Sequence, residues 1–359
     1  MIRKSIFTIA LFLTVTSLYC QEKLPVIKAT SKKVDIRDGD IFRKGYWNIT
    51  PEAKPDIYIS SSKGKAVTFY TDRDSISVKI MPATKFDFII LLNDTVKALT
   101  EIQYKPSFLD ILETAGKYNF DDKREITKYT YKTVNDPDLA SMRKEFKLDS
   151  VIGTGNEVSQ ILNLLHWVHN SFRHDGSRDA PKYASIPNLM NICINEHKTL
   201  DCGTLATVLN DCYLALGIKS HRVICLPEDS TDYDCHSINA VYSKTMNKWL
   251  WIDPTNDAYV MNEKGELLSL DEVRGRLVES KPLILNPEAN WNHVNSVTKE
   301  YYLYNYMAKN LFAICLESGR GTGQFNLLLP VGYKGIIPRI RDLKPRCTNN
   351  PIVFWAKPE

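Results

Sequence analysis

The stretch of sequence that decides the fold runs from Thr199 to Asp257 and reads TLDCGTLATVLNDCYLALGIKSHRVICLPEDSTDYDCHSINAVYSKTMNKWLWIDPTND. After Cys202, apolar side chains are spaced by four, three, one and three positions: Leu205, Leu209, Cys212, Tyr213 and Leu216. Residues at this spacing lie on one face of a helix. The pattern therefore predicts a helix that begins at Cys202 and ends before Gly217, since glycine commonly caps helix C-termini.

Two short strands follow this helix, and each carries a candidate catalytic residue. His236 begins the segment HSINAVY, and Asp253 ends the segment WLWID. A hairpin that turns at residues 243–246 would place Tyr242 opposite Asn247 and His236 opposite Asp253, on one face of the sheet. A slip of one residue would send the two side chains to opposite faces. The stretch thus predicts a thiol at a helix N-terminus beside a His–Asp pair.

These three groups suit a cysteine nucleophile. A free cysteine has a pKa of about 8.5, but a helix N-terminus and a nearby imidazolium both favour the thiolate. Asp253 would orient the imidazole of His236 and stabilise its charged form. The backbone N–H of Cys202 is a candidate oxyanion donor, and the sequence identifies no second one. Asp201 carries a negative charge next to the thiol, which disfavours the thiolate.

Taken in order, these residues resemble the transglutaminase-like superfamily of papain-related thiol enzymes. The resemblance covers roughly residues 155–260 and rests on the cysteine at a helix start, LATVLNDCYLALGIKSHRV, HSINAVY and WIDPT. It implies an α+β fold in which the helix that carries the thiol packs against an antiparallel sheet. It also implies that Cys202 is the nucleophile, and that His236 and Asp253 complete a catalytic triad.

The resemblance leaves more than one activity open. Members of the superfamily transfer acyl groups from glutamine to amines, hydrolyse peptides or release glycans from asparagine, in each case by attack on a carboxamide through a thioester. We expect a thiol hydrolase of a peptide or carboxamide bond, acting on a peptide, protein or glycopeptide. The alternatives are a protein-glutamine acyltransferase, a peptide N-glycanase-like amidase, or an inactive binding module with Trp249 and Trp251 as its platform. The oligomeric state is not predicted.

Composition favours an exported protein with two domains. The chain has 359 residues, of which 43% are hydrophobic. Residues 1–20 combine Arg3 and Lys4 with an apolar run over 6–18, as in a signal peptide of a bacterial protein in the periplasm, at the cell surface or secreted. Lipidation of Cys20 is the alternative.

The charge balance of the remaining chain does not favour binding to nucleic acid, because without the signal 44 cationic side chains oppose 42 acidic ones. No later apolar run predicts a transmembrane helix.

The patterns along the chain predict five segments. They are a signal peptide (residues 1–20), a β-sandwich-like domain (33–105), a connector (106–150), a transglutaminase-like catalytic domain (151–320) and a strand-rich extension (321–359). Residues 21–50 are expected to be an extended lead-in. Residues 174–198 lack a sustained period and predict a long loop that walls the substrate cleft. The tail segments FNLLLPV and PIVFWA are expected to complete a sheet, in either domain.

We expect the remaining cysteine and histidine residues to have structural roles. Export permits disulfides, and one hypothesis joins Cys225 to Cys235. His166 and His169 are expected to be surface or packing residues, and His197 has no paired carboxylate. No CxxC or HxxxH pair occurs, so we expect neither a metal nor another cofactor.

Overall fold

The computed structural model describes residues 24–51, 54–229, 231–333, 340 and 342–359. The predicted signal peptide and Cys20 lie outside these residues. The chain divides into two compact units, Met1–Pro106 and Ser107–Glu359. Each unit has hydrophobic clusters made only of its own residues.

The first unit consists of two four-stranded sheets with the strand orders β1-β7-β8-β4 and β3-β2-β5-β6. The strands are β1 (Val26–Ala29), β2 (Lys33–Asp38), β3 (Ile41–Asn48), β4 (Asp56–Ser60), β5 (Ala66–Tyr70), β6 (Ser75–Lys79), β7 (Lys85–Leu92) and β8 (Val96–Tyr104). The expected lead-in over 21–50 is wrong for β1 to β3. In β2, Val34 and Ile36 face the core between charged neighbours, a period-two pattern that its many polar residues obscure.

The second unit contains ten α-helices in its described residues. They are α1 (Phe108–Thr114), α2 (Pro137–Glu145), α3 (Leu148–Ile152), α4 (Glu157–Ser171), α5 (Ile186–Glu196), α6 (Cys202–Ala215), α7 (Leu270–Val278), α8 (Lys299–Tyr301), α9 (Ala308–Asn310) and α10 (Pro351–Phe354). A π-helical segment, Tyr302–Met307, joins α8 to α9. Among the described residues, no helix is long and apolar enough to cross a membrane.

An eight-stranded sheet with the order β13-β12-β11-β10-β9-β16-β17-β18 carries the candidate site. Its strands are β9 (Ser220–Leu226), β10 (His236–Ser243), β11 (Lys248–Asp253), β12 (Ala258–Met261), β13 (Ile284–Leu285), β16 (Ala313–Glu317), β17 (Phe325–Leu328) and β18 (Arg346–Thr348). A separate hairpin pairs β14 (Asn290–Trp291) with β15 (Asn295–Ser296). Among the described strands of the large sheet, only β17 and β18 are parallel neighbours.

Helix α6 packs on the centre of this sheet. Leu205 and Leu209 of α6 share a buried cluster with Val241 of β10, and the Asn239 side chain donates a hydrogen bond to the Ala206 carbonyl oxygen at 2.9 Å. The predicted α+β fold, with the cysteine-bearing helix on an antiparallel sheet and an all-β unit before it, is confirmed.

The hairpin register differs from the predicted one by two residues. Tyr242 lies opposite Trp249 rather than Asn247, and Asn239 lies opposite Ile252. His236 and Asp253 are therefore diagonal rather than directly opposed. Because side chains alternate with a period of two, the shift leaves both on the predicted common face.

Helices occur in two segments for which the sequence predicts a loop or a strand. The predicted loop over 174–198 contains α5, which Ser185 caps by accepting a hydrogen bond from the Asn188 N–H. Pro187 lies in the first turn of α5, where a helix needs no N–H, so it does not exclude a helix. In the tail, FNLLLPV contributes β17 to the eight-stranded sheet, but PIVFWA contains α10 rather than a strand.

The remaining differences concern boundaries and disulfides. Residues 107–359 form one compact unit, so the predicted connector, catalytic domain and extension are parts of one body. The described residues contain no disulfide, and the hypothesised bridge between Cys225 and Cys235 is not formed.

Candidate active site

Cys202 is the first residue of α6. The Asp201 carboxylate caps this helix, accepting hydrogen bonds from the Thr204 N–H at 2.8 Å and the Thr204 hydroxyl at 3.0 Å. These hydrogen bonds from the helix end stabilise the negative charge of Asp201, which lies next to the thiol in sequence. The Cys202 N–H has no acceptor within the part of the chain that the structure describes.

His236 and Asp253 form a buried pair. The His236 Nε2–H donates to Asp253 Oδ2 across 2.8 Å, and the two side chains are 2% and 0% exposed. This bond leaves the Nδ1 atom of His236 available to Cys202, and the two side chains are close enough to shift each other's pKa. The structure therefore brings the three predicted side chains into one chain of contacts.

Three further donors stabilise the Asp253 carboxylate. Oδ2 accepts from the Tyr302 hydroxyl at 2.6 Å and from Asn256 Nδ2 at 2.9 Å, while Oδ1 accepts from the Thr255 N–H at 2.9 Å. Burial raises the pKa of Asp253, but His236 and these hydrogen bonds outweigh it, so the pKa falls below its usual value. Asp253 is therefore charged at neutral pH, which supports an imidazolium at His236.

Cys202 and His236 shift each other's pKa in opposite directions. Burial opposes the thiolate, yet the interactions with His174, His236 and the Ser237 backbone outweigh it and lower the pKa of Cys202 to about 6. Burial also opposes the imidazolium, yet Asp253 and Cys202 raise the pKa of His236 to about 10. At neutral pH the resting pair is consequently a thiolate and an imidazolium.

His174 is a site residue that the sequence analysis missed. It follows α4 and forms a parallel bridge with Leu200, two residues before the thiol. Its Nδ1 atom accepts a hydrogen bond from the Trp291 indole N–H at 3.0 Å. No spacing rule links His174 to Cys202, so the only sequence signal is a histidine in the segment before the thiol.

His166 and His169 contact residues next to Asp253 rather than Cys202. His166 Nδ1 contacts Asp257 Oδ1 at 2.7 Å, and this hydrogen bond raises the pKa of His166. His169 is buried, with its ring nitrogens 3.0 Å from the Pro254 carbonyl oxygen and 3.0 Å from Asn290 Oδ1. Both contacts brace the chain next to Asp253. His197 ends α5 in a left-handed conformation.

Two cavities flank the catalytic centre and share His174 and Tyr306. One, of about 550 Å³, is lined by Cys202, by polar residues such as Thr204 and Arg222, and by apolar residues such as Ile224; because it is the more polar of the two, we call it the polar half of the cleft. The other, of about 500 Å³, is lined by His236 and by Trp291, Tyr301, Tyr302 and Tyr306; we call it the aromatic half. The thiolate therefore lies where an extended substrate can pass between two chemically different walls.

The described residues hold no group of three or more His, Cys, Asp or Glu side chains arranged to bind a metal ion. The chemistry that the arrangement can perform with its own side chains is nucleophilic attack by sulfur, with proton transfer through an imidazole.

Comparisons with solved structures find partial similarities. The chain is similar to a candidate cysteine protease from Cytophaga hutchinsonii, at 16% identity over 41% of this chain and 47% of the other, with a TM-score of 0.25. It is similar to a TGase at 18% identity over 33% and 31%, with a TM-score of 0.25. The red sea bream transglutaminase gives 13% identity over 70% and 52%, with a TM-score of 0.23.

This chain thus spans about half, or less, of the length of each of these three proteins. The sequence matches no family model and no curated protein sequence. Similarity at this level assigns no activity, so the function is argued from the site itself.

Proposed function

We propose that this protein is a thiol hydrolase of peptide or carboxamide bonds. Cys202 is the nucleophile, His236 is the general acid and base, and Asp253 orients the imidazole. The observation that carries the proposal is the buried His236–Asp253 hydrogen bond of 2.8 Å next to a thiol whose pKa lies near 6. A structural cysteine buried among apolar groups has a raised pKa instead, as Cys212 does.

In the proposed reaction, the Cys202 thiolate attacks the carbonyl carbon and the carbonyl electrons move to oxygen. The Cys202 N–H stabilises this oxyanion. Collapse breaks the C–N bond, and the His236 imidazolium gives its proton to the departing amine, leaving a thioester. Neutral His236 then takes a proton from water, whose hydroxyl attacks the thioester. The sulfur departs as thiolate, and the acid product leaves.

The two-walled cleft supports an extended peptide as the substrate. An apolar or aromatic side chain suits the aromatic half, and the peptide groups suit the polar half. We further propose that the chain acts outside the cytoplasm, on the strength of the signal-like residues 1–20. The alternative to hydrolysis is acyl transfer, in which an amine rather than water attacks the same thioester.

The test compares wild type with Cys202→Ala on a panel of exported peptides, cell-wall peptides and glycopeptides, with and without a primary amine. Cys347→Ser is the matched control, because Cys347 lies outside the cleft and burial raises its pKa. We expect wild type and Cys347→Ser to give the acid product and Cys202→Ala to give none. Efficient amine incorporation would instead identify an acyltransferase, and turnover by Cys202→Ala would contradict the proposal.

A further inference from the structure

We propose that His174, held by Trp291 with its proton on Nε2, is the second donor to the oxyanion formed when Cys202 attacks. This inference rests on the proposed function, and it adds a catalytic residue, His174, and a positioning residue, Trp291.

The first argument is the way in which the backbone of His174 is fixed. Its N–H donates to Asn292 Oδ1 at 2.8 Å, and its carbonyl oxygen accepts from Asn292 Nδ2, also at 2.8 Å. On the other side, the Leu200 N–H donates to the Arg173 carbonyl oxygen and the Asp175 N–H donates to the Leu200 carbonyl oxygen, each at 2.9 Å. The segment that leads into the thiol and the turn between β14 and β15 thus hold His174 from both sides.

The second argument concerns the position of the imidazole proton. The indole N–H of Trp291 can only donate, so His174 Nδ1 must accept. An imidazole whose Nδ1 accepts is neutral and carries its proton on Nε2. The Trp291 hydrogen bond therefore selects the tautomer that presents an N–H on the opposite edge of the ring.

The third argument is that this N–H has no full hydrogen-bond partner before a substrate binds. The Nε2 atom of His174 is buried and lies outside normal hydrogen-bond geometry with every described residue. His174 and Cys202 nevertheless line the same cavity, and His174 favours the thiolate. An unsatisfied buried donor costs about 1–3 kcal/mol, which persists only where the fold or the function requires it. A substrate oxyanion beside the sulfur would satisfy it.

Neutral His174 suits this role better than a charged residue or a base would. It donates to negative charge that develops on the substrate oxygen, and its Nδ1 is occupied, so it does not compete with His236 for protons. Together with the Cys202 N–H it would provide two donors to the oxyanion.

One test of the tautomer is independent of any activity. Long-range ¹H–¹⁵N spectra of the imidazoles in the full chain, with the His174 signal identified by its loss in His174→Gln, should show the proton on Nε2. In Trp291→Phe the same signal should move towards a mixture of tautomers. A proton on Nδ1 in the wild type would overturn the inference, and an unchanged signal in Trp291→Phe would overturn the role of Trp291.

The kinetic test uses p-nitrophenyl acetate as the acyl donor in single turnovers. The sulfur–carbon bond forms, the ester bond breaks and p-nitrophenolate leaves. Losing one oxyanion donor costs about 10²–10³-fold, so we expect His174→Ala to acylate about 100-fold more slowly. His174→Gln should recover part of the rate through its amide N–H, and Trp291→Phe should be intermediate. Trp355→Phe, an indole-to-phenyl change outside the cleft, should match wild type.

Alkylation by iodoacetamide separates this role from a loss of folding. Displacement at a saturated carbon forms no oxyanion, so above the pKa of Cys202 the folded variants should alkylate at nearly the wild-type rate. Wild-type acylation by His174→Ala with unchanged alkylation would overturn the inference. Equal acylation by wild type and Cys202→Ala would instead contradict the proposed function itself.

Discussion

At the residue scale, the proposed chemistry depends on a short chain of contacts from Cys202 through His236 to Asp253. The sequence predicts all three because each occupies a definable position, at a helix start or at the end of a strand. It does not predict Tyr302 or His174, because they lie 49 residues after Asp253 and 28 residues before Cys202. Their proximity depends on how the π-helical segment and the chain after α4 pack, which local periodicity does not encode.

The Asp253 carboxylate should control the ionisation of the thiol. Asp253 is the main influence that raises the pKa of His236. In Asp253→Asn the pKa of His236 should therefore fall, the thiolate should lose its cationic partner at neutral pH, and the pKa of Cys202 should rise by about 1 unit or more. The pH dependence of iodoacetamide alkylation measures this shift.

Tyr302→Phe is the matched control for Asp253→Asn, because it removes one donor to Oδ2 while it leaves the carboxylate and the ring in place. We expect a smaller upward shift than in Asp253→Asn. An unchanged midpoint in Asp253→Asn would show that Asp253 does not support the ion pair.

At the element scale, the helix α6 and the strands β10 and β11 follow from their apolar spacing, but the hairpin register does not. The predicted turn begins one residue too early. Residues 243–247 are all polar except Met246, so their pattern does not show that Ser243 still pairs with Lys248. The structure supplies the missing constraint. The Glu157 carboxylate of α4 accepts hydrogen bonds from the Ser243 hydroxyl and from the Lys244 and Thr245 N–H groups, at 2.6–2.9 Å.

Glu157 should therefore stabilise the hairpin that carries His236 and Asp253. Burial raises the pKa of Glu157, but the hydrogen bonds from the turn outweigh it and lower the pKa below 4.5. A carboxyl group whose pKa is lower in the folded protein than in the unfolded chain stabilises the fold at pH values above its unfolded-state pKa. This stabilisation is lost as the pH falls through the folded-state pKa. We expect Glu157→Gln to lower the free energy of unfolding by about 1 kcal/mol at neutral pH.

Urea unfolding at several pH values measures this contribution. The difference between wild type and Glu157→Gln should shrink as the pH falls below about 4.5. Glu300→Gln serves as the control, since its side chain is exposed at the start of α8. A difference that stays constant down to acid pH would indicate that the Glu157 charge plays no part.

At the scale of the whole molecule, the chain consists of two units with separate cores. The all-β unit that precedes the α+β unit is predictable from regularly spaced short strands. Its start at β1 is not predictable, because β1 pairs in parallel with the distant β7. Likewise, the sequence leaves open where the tail belongs. In the structure, the tail belongs to the second unit, because β17 and β18 extend the eight-stranded sheet beyond β16, which lies beside β9.

Because the buried clusters of residues 107–359 include no side chain from the first unit, this segment should fold alone. We expect a fragment of residues 107–359 to unfold cooperatively on heating and to keep the reactive thiol of the full chain. Circular dichroism and alkylation of Cys202 measure the two properties. A fragment that is unfolded, or whose Cys202 reacts like an ordinary thiol, would contradict this independence.

The most direct test of the central claim is the rate of alkylation of Cys202 by iodoacetamide as a function of pH, followed peptide by peptide with mass spectrometry. The thiolate–imidazolium pair predicts a half-maximal rate near pH 6, while Cys193 and Cys315, whose pKa burial raises to about 11 and about 12, stay unreactive there. A midpoint for Cys202 near pH 8.5, the value of an unperturbed thiol, would contradict the account.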